Sequence, residues 1–158
     1  MTDIIFLDGG LGQEINKRSS NIESHPLWSL KVMYDQPDIV LKVHLDFIQA
    51  GAKVLSLNNY TATLPRLTKY GEPKKFLETH ELASSIMTSA IKQANIDREE
   101  IDIAGCLPPL VASYVSSETL EFDESVEHYR KLIMAQKKHV DMFLIETMSN
   151  ISEAKAAM

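Results

Sequence analysis

The sequence predicts a parallel α/β fold, either an open doubly wound sheet or about half of an eightfold (β/α)8 barrel. Four short apolar runs alternate with longer segments whose apolar residues recur at helical spacing. Each run stops at polar, glycine or proline residues, which are typical of the turns after strands. The chain has 158 residues, and a complete barrel takes about 250. We therefore expect one domain, residues 1–158, with about four β/α units.

A βαβ unit is predicted at the start of the chain. Residues 4–7 form an unbroken apolar run that ends at Asp8-Gly9-Gly10, which is typical of a strand buried on both faces of a parallel sheet. After an irregular stretch, a helix is predicted to begin near Asp35, because Pro37 suits a first helical turn. Gly51 provides a left-handed exit from that helix, and residues 54–57 form the second strand.

The same alternation continues through the middle of the chain. A long helix is predicted from about Glu78 to Asn95, since asparagine is suited to a left-handed helix end. Residues 102–107 form the third strand, which the pair Pro108-Pro109 closes because proline cannot continue a central strand.

The last predicted β/α unit begins with a helix over residues 123–139. Residues 142–145 then form the fourth strand, which ends at Glu146. Asn150 is expected to cap the final helix, with Glu153 placed as in a capping box.

Composition excludes several classes of function. The net charge of −6 and pI of about 5.3 give no basic patch for nucleic acid. No apolar run approaches the roughly 18 residues that a membrane span needs, and the first residues lack the basic and apolar regions of a secretory signal. A single cysteine, Cys106, cannot form an internal disulfide. We expect a cytoplasmic protein without nucleic-acid or membrane partners.

Polar residues at the strand ends suggest a site. Parallel strands bring their carboxyl ends to one edge, so Asp8, Asn58-Asn59-Tyr60, the turn at Cys106 and Glu146 are expected to meet there. Carboxylates suit an ammonium group and glycine-rich N–H groups suit a carboxylate, which together favour an α-amino acid. Asp-Gly-Gly is, however, equally typical of an ordinary turn.

Longer motifs add a family resemblance. The chain contains Phe6-Leu7-Asp8-Gly9-Gly10-Leu11-Gly12 with Glu14, then Pro26-Leu27-Trp28-Ser29, then Pro37 with Val40 and His44, then Ala50-Gly51-Ala52 before Asn59-Tyr60, and finally Glu146-Thr147-Met148 with Glu153-Ala154. In order and spacing this set resembles the homocysteine S-methyltransferase family. The likeness covers nearly the whole chain and implies that residues 1–158 are the N-terminal half of a TIM-like (β/α)8 barrel.

The resemblance also implies a reaction and a set of substrate-binding residues. The family transfers a methyl group to the thiol of homocysteine, giving methionine, with zinc holding the thiol as a thiolate. Asp8 and Glu146 would bind the substrate amine, and backbone N–H groups of Gly9, Gly10, Leu11 and Gly12 would bind its carboxylate. Trp28 and Tyr60, with the adjacent Asn59, would line the side of the methyl donor. The donor would be S-methylmethionine, S-adenosylmethionine, a betaine-like compound, or a methyl-folate or corrinoid system.

Departures from the family pattern define the alternatives. Nothing in the chain corresponds to the family's three zinc cysteines, and Cys106 lies in the third strand instead. Gln13 and Asn59 also stand where threonine is usual. We therefore expect no activity from this chain alone, and a partner that is either the missing C-terminal half or a second copy, since a half-barrel leaves unpaired strand edges. The alternatives are a non-catalytic half-barrel that at most binds an amino acid, and an unrelated α/β enzyme.

Overall fold

The computed structural model describes residues 4–20 and 25–158. The predicted absence of a secretory signal rests partly on residues 1–3, which lie outside the described residues. The chain is an α/β structure with one parallel sheet. Its elements are α1 (Leu11–Arg18), α2 (Ser29–Asp35), α3 (Pro37–Gln49), β1 (Val54–Ser56), α4 (Leu64–Tyr70), α5 (Phe76–Ala94), β2 (Asp102–Leu107), α6 (Phe122–Gln136), β3 (Met142–Ile145) and α7 (Ile151–Ala157), with 3₁₀ turns at Pro73–Lys75 and Arg98–Glu100.

Three of the four predicted strands form the sheet, in the order β1-β2-β3. Val54 lies opposite Asp102, and Ala104 lies opposite Met142, so all pairs are parallel. The bounds of β2 and β3 agree with the prediction, and β1 is one residue shorter than predicted. The carboxyl ends of the three strands therefore lie along one edge of the sheet.

The first predicted strand is reduced to a single bridge, between Leu7 and Val54. The N–H of Asp8 donates to the carbonyl of Val54 at 2.9 Å, and the N–H of Lys53 donates to the carbonyl of Phe6 at 2.8 Å. The expectation of burial on both faces is wrong, because residues 4–7 are between 52% and 79% exposed. These residues pair with β1 on one side only, and the described residues place no strand on the other side.

The stretch between residues 11 and 35 was expected to be irregular, but it contains two helices, whereas residues 25–28 between them are a turn as expected. α1 buries Leu11 and Ile15, and α2 buries Leu30 and Met33. Both helices are short, with too few turns to show a clear periodicity. α4 was missed for the same reason.

The predicted helix boundaries after α2 hold at their capping residues. α3 starts at Pro37, and Gly51 adopts φ +94° in the turn that follows α3. Asn95 has the left-handed conformation that was predicted for the end of α5. α6 ends at Gln136, three residues earlier than predicted.

The capping box predicted for α7 forms only in part. The Asn150 side chain accepts the N–H groups of Ser152 and Glu153 at 2.8 and 3.2 Å, as expected. The Glu153 carboxylate does not turn back to the cap; it accepts the N–H of Leu110 at 2.8 Å. Glu153 is only 3% exposed, so it fastens α7 to the segment that follows β2.

The helices of the described residues are all too short or too polar to cross a bilayer.

Candidate functional site

A cavity of about 510 Å³ opens at the carboxyl edge of the sheet, within the size range of small-molecule sites. It is bounded by the start of α1, the turn before α2, the end of β1, α4, and the segments after β2 and β3. Its lining residues are Gly9, Gly10, Leu11, Gly12, Gln13, Trp28, Ser29, Ser56, Leu57, Asn58, Tyr60, Thr61, Arg66, Cys106, Ser113, Tyr114, Glu146 and Thr147.

Most residues of the predicted substrate-binding set line this cavity. They are Gly9, Gly10, Leu11, Gly12, Trp28, Tyr60 and Glu146. Asp8 is not among the lining residues but directly precedes Gly9, which is, and its negative charge helps to raise the pKa of Glu146. Asn59 does not line the cavity. The carboxylates from the first and fourth β/α units therefore act on each other at the same edge of the sheet.

Asp8 is held by the end of β1. Its carboxylate accepts the backbone N–H of Ser56 at 2.8 Å and the Ser56 hydroxyl at 2.9 Å. Burial raises the pKa of the Asp8 carboxyl, and the two bonds from Ser56 oppose that rise. Each carboxylate oxygen has a second lone pair, so Asp8 can still accept a bond from a ligand.

Glu146 presents the second carboxyl group. Burial raises its pKa most, and the charge of Asp8 adds to this, while the neighbouring Cys106 thiol opposes it. Neither Asp8 nor Glu146 takes part in an ion pair among the described residues. Two half-buried carboxyls without a cation favour binding of a positively charged group, because it would stabilise both ionised forms.

The first turn of α1 provides N–H donors on the same cavity. No side chain caps the helix at Gly10, and N–H groups of a first helical turn lack partners within the helix. With the positive end of the helix dipole, these groups favour an anion such as a carboxylate. Gly9 precedes this turn, and a Cβ there would lie 3.0 Å from the Phe47 ring, so close packing explains that glycine.

The turn that carries Trp28 is fixed to the end of β1. The Ser29 hydroxyl donates to the Asn58 side chain at 2.6 Å, and the Asn58 amide donates back to the Ser29 carbonyl at 3.1 Å. The Thr61 hydroxyl donates to the carbonyl of Leu27 at 2.8 Å. Trp28 is 50% exposed, so its ring forms part of the cavity wall and remains accessible to a ligand.

Backbone strain is concentrated around the cavity. Trp28, Tyr114 and Thr147 have φ of 46°, 64° and 59°, and all three line the cavity. Such conformations cost about 1–3 kcal/mol each and cluster at ligand sites. The fourth non-glycine residue with positive φ among those described is Asn95, whose conformation is explained by the end of α5.

Asn59 points into the interior instead. Its side-chain amide donates to Gln136 Oε1 at 2.7 Å and lies 3.0 Å from His80 Nδ1. Gln136 in turn bonds the backbone N–H and carbonyl of Cys106, both at 3.1 Å. Asn59 therefore joins the end of β1 to α5, α6 and β2.

Several cavity residues were not predicted, notably Ser56, Arg66, Ser113 and Tyr114. Arg66 Nη2 donates to the Pro109 carbonyl at 3.1 Å and to the Ser113 hydroxyl at 3.0 Å. One signal was present in the sequence: Thr63-Leu64-Pro65 marks the start of a helix, so Arg66 falls in its first turn. A positive charge in the first turn is unfavourable beside the positive end of the helix dipole. The sequence therefore indicates that Arg66 is used for contacts outside α4.

The described residues do not fit a zinc site. No group of three or more His, Cys, Asp or Glu side chains among them could hold a metal ion. Cys106 is buried, its thiol donates to the Leu57 carbonyl at 3.4 Å, and burial raises its pKa well above the ordinary value. A thiol in this state is a poor source of the thiolate that zinc requires.

Comparisons with known proteins agree on one family. A family model described as homocysteine S-methyltransferase matches residues 5–158. Homocysteine S-methyltransferase 3 of Zea mays is 27% identical over 96% of this chain and 50% of its own length. Homocysteine S-methyltransferase of Escherichia coli (strain K12) is 28% identical over 98% of this chain and 53% of its own.

A solved structure shares the fold of this chain. The crystal structure of the homocysteine methyltransferase MmuM from Escherichia coli, in its metallated form, superposes with a TM-score of 0.80 at 24% identity, covering 98% of this chain and 57% of that one. The predicted fold class, about the first half of a TIM-like (β/α)8 barrel, is thereby confirmed. The chain spans about half the length of the curated relatives that it matches.

Proposed function

Because this chain belongs to the homocysteine S-methyltransferase family, we propose that it contributes the amino-acid-binding half of a site where a methyl group is transferred to homocysteine, giving methionine. The observation that carries the proposal is the position of two carboxyls with raised pKa values, Asp8 and Glu146, beside the uncapped first turn of α1. The cavity thus has a place for each charge of an α-amino acid.

The two raised pKa values favour a site for the substrate ammonium. Burial of both carboxyls, and for Glu146 also the charge of Asp8, favours their protonated forms while the cavity lacks a cation. An ammonium between Asp8 and Glu146 would replace repulsion by two charge-assisted hydrogen bonds. The substrate carboxylate would then bind N–H groups at the start of α1 other than that of Leu11, which already donates to the Gly9 carbonyl at 2.7 Å. This leaves the thiol side chain directed into the remaining space of the cavity.

The methyl donor would occupy the side of Trp28 and Tyr60. Aromatic faces attract cations, and S-methylmethionine, S-adenosylmethionine and betaine-like donors all carry the methyl group on a positive centre. The resemblance implies zinc for the complete enzyme, but the described residues do not fit it. We propose that the zinc ligands come from the C-terminal half, or from another copy, and that this chain binds and orients the substrates.

A non-catalytic role is the second candidate. It is favoured by the described residues, among which no group of side chains could hold a metal ion. In that case the cavity would bind an amino acid without methyl transfer. We also propose a cytoplasmic location, because a lone buried cysteine suits a reducing compartment.

Calorimetric titration of this chain with homocysteine tests the binding proposal. Two analogues are matched controls: N-acetylhomocysteine lacks the ammonium, and the methyl ester of homocysteine lacks the carboxylate. Each is expected to bind at least about tenfold more weakly, since a hydrogen bond to a charged group contributes about 1.5–3 kcal/mol. Equal affinity for homocysteine and the N-acetyl analogue would contradict the role of the carboxyl pair.

A second measurement addresses the reaction. With zinc, homocysteine and S-methylmethionine supplied, the chain alone is expected to form no methionine. Methionine formed by the chain alone would show that the metal ligands, or their replacement, lie within it.

A further inference from the structure

Arg66 is a buried cation that the proposed amino-acid site does not use. It lies in α4, lines the cavity and is 8% exposed. Nη2 bonds the Pro109 carbonyl and the Ser113 hydroxyl, whereas Nε has no hydrogen-bond partner. No ion pair among the described residues includes this guanidinium.

A buried guanidinium without an anion is unfavourable for the fold. Burial lowers the pKa of Arg66, and the groups that oppose this effect are led by Tyr60 and Glu153. Removing a charge from water costs several kcal/mol unless an opposite charge compensates it. Neutral acceptors at Pro109 and Ser113, with the charge of Glu153, which makes no ion pair with the guanidinium, provide only part of that compensation, so the arrangement is suited to a bound anion.

The geometry around Arg66 favours a flat anion beside an aromatic ring. The guanidinium carbon lies 5.6 Å from the centre of the Tyr60 ring. The Tyr60 hydroxyl bonds the Ser113 hydroxyl at 2.8 Å, so the ring and the guanidinium share one anchor. Nη2 is already bonded to Pro109 and Ser113, so the N–H groups of Nε and Nη1 remain to donate to a carboxylate oxygen.

We propose that Arg66 forms a second carboxylate subsite, which binds the carboxylate of the methyl donor. This inference rests on the proposed function, because it assigns the other end of the cavity to the second substrate. Homocysteine would have its ammonium at Asp8 and Glu146, while the donor would place its carboxylate at Arg66 and its positive methyl-bearing centre near Trp28. Donors that carry a carboxylate would therefore be preferred to donors that lack one.

Fluorescence of Trp28 provides a direct test, since it is the single tryptophan of the chain and lines the cavity. Glycine betaine and choline are matched probes, because they share the trimethylammonium group and only betaine has a carboxylate. The wild-type chain is expected to bind betaine at least about tenfold more tightly than choline. Arg66→Gln is expected to remove this difference, and Arg66→Lys to retain part of it.

Controls separate this subsite from the amino-acid site. Arg130→Gln removes an exposed arginine of α6 and is expected to change neither titration. Homocysteine affinity is measured with the same proteins and is expected to stay unchanged in Arg66→Gln. The comparison of betaine with choline in the wild type does not depend on the folding of any variant, and thermal melts report whether each variant is folded.

The outcomes are distinguishable. Equal binding of betaine and choline by the wild type, or binding of neither at millimolar concentration, would overturn the donor subsite. A loss of homocysteine affinity in Arg66→Gln as large as the loss for betaine would overturn it as well, because Arg66 would then serve the amino acid. Absence of homocysteine binding with an intact betaine preference would instead refute the proposed function and leave the carboxylate subsite in place.

Discussion

Replacement of Glu146 by Gln is expected to weaken homocysteine binding and to stabilise the unliganded chain. Burial and the neighbouring charge of Asp8 raise the pKa of Glu146. A carboxyl that binds its proton more tightly in the folded than in the unfolded state makes the fold less stable as pH rises through that window. The neutral amide of Gln has no such titration, so the variant should lose part of this pH dependence.

The magnitudes follow from the contacts of Glu146. The neighbouring Cys106 thiol donates to the Leu57 carbonyl at 3.4 Å and is a weak donor, so little native bonding is lost in Glu146→Gln. Each 1 kcal/mol of added stability would raise the melting temperature by about 2–4 °C in a chain of this size. Binding should lose about 1.5–3 kcal/mol, or about tenfold or more in Kd, with the charge-assisted bond to the ammonium.

Calorimetric titration and thermal denaturation of the same samples provide the assay. Glu81→Gln is the matched control, because Glu81 is exposed and pairs with Lys138 at 2.6 Å; both quantities should change little. An unchanged homocysteine Kd in Glu146→Gln would refute the assignment of the carboxyl pair. A lower melting temperature at neutral pH would refute the account of why its pKa is raised.

Three further predictions concern the surroundings of the site. Asp8→Asn should weaken homocysteine binding like Glu146→Gln but lower stability by about 1–3 kcal/mol in denaturant melts, because the bonds from Ser56 are to a carboxylate. Glu153→Ala should destabilise the chain by about 2–3 kcal/mol, since it leaves the buried N–H of Leu110 without its acceptor; a melt within error of wild type would contradict this. Burial lowers the pKa of His44 from 6.5 to about 4. Between these pH values the unfolded chain binds one more proton than the folded chain, so the free energy of unfolding should fall as pH decreases from about 6.5 to 4. In His44→Leu, denaturant melts over this pH range should show a weaker dependence of stability on pH.

The strands with the best sequence signals were predicted at their observed bounds. β2 and β3 are short apolar runs, and the turn residues on either side of each run mark where the strand begins and ends. Residues 4–7 have the same pattern but form one bridge. Apolarity indicates that a segment prefers burial, whereas a full strand also needs a partner segment to pair with along its length, and local sequence does not specify that partner.

The candidate site was predictable as a location rather than as a set of contacts. Parallel topology brought Glu146 to the cavity because every strand ends at the same edge. Asn58 and Asn59 are adjacent in sequence, yet Asn58 lines the cavity and Asn59 bonds Gln136 in the interior. Neighbouring side chains of an extended segment point in opposite directions, and which one faces a ligand depends on packing that a single sequence does not reveal.

The one-sided pairing of residues 4–7 has a consequence for affinity. Asp8 follows directly after this segment. One of the two carboxyls proposed to bind the ammonium is therefore carried by residues that pair with the sheet through a single bridge and are largely exposed. Any element that docked against the free side of the segment would hold Asp8 in place and thereby tighten substrate binding. Thermodynamic reciprocity requires the substrate to strengthen that docking by the same factor, so assembly at this edge and occupancy of the cavity are two readouts of one coupling free energy.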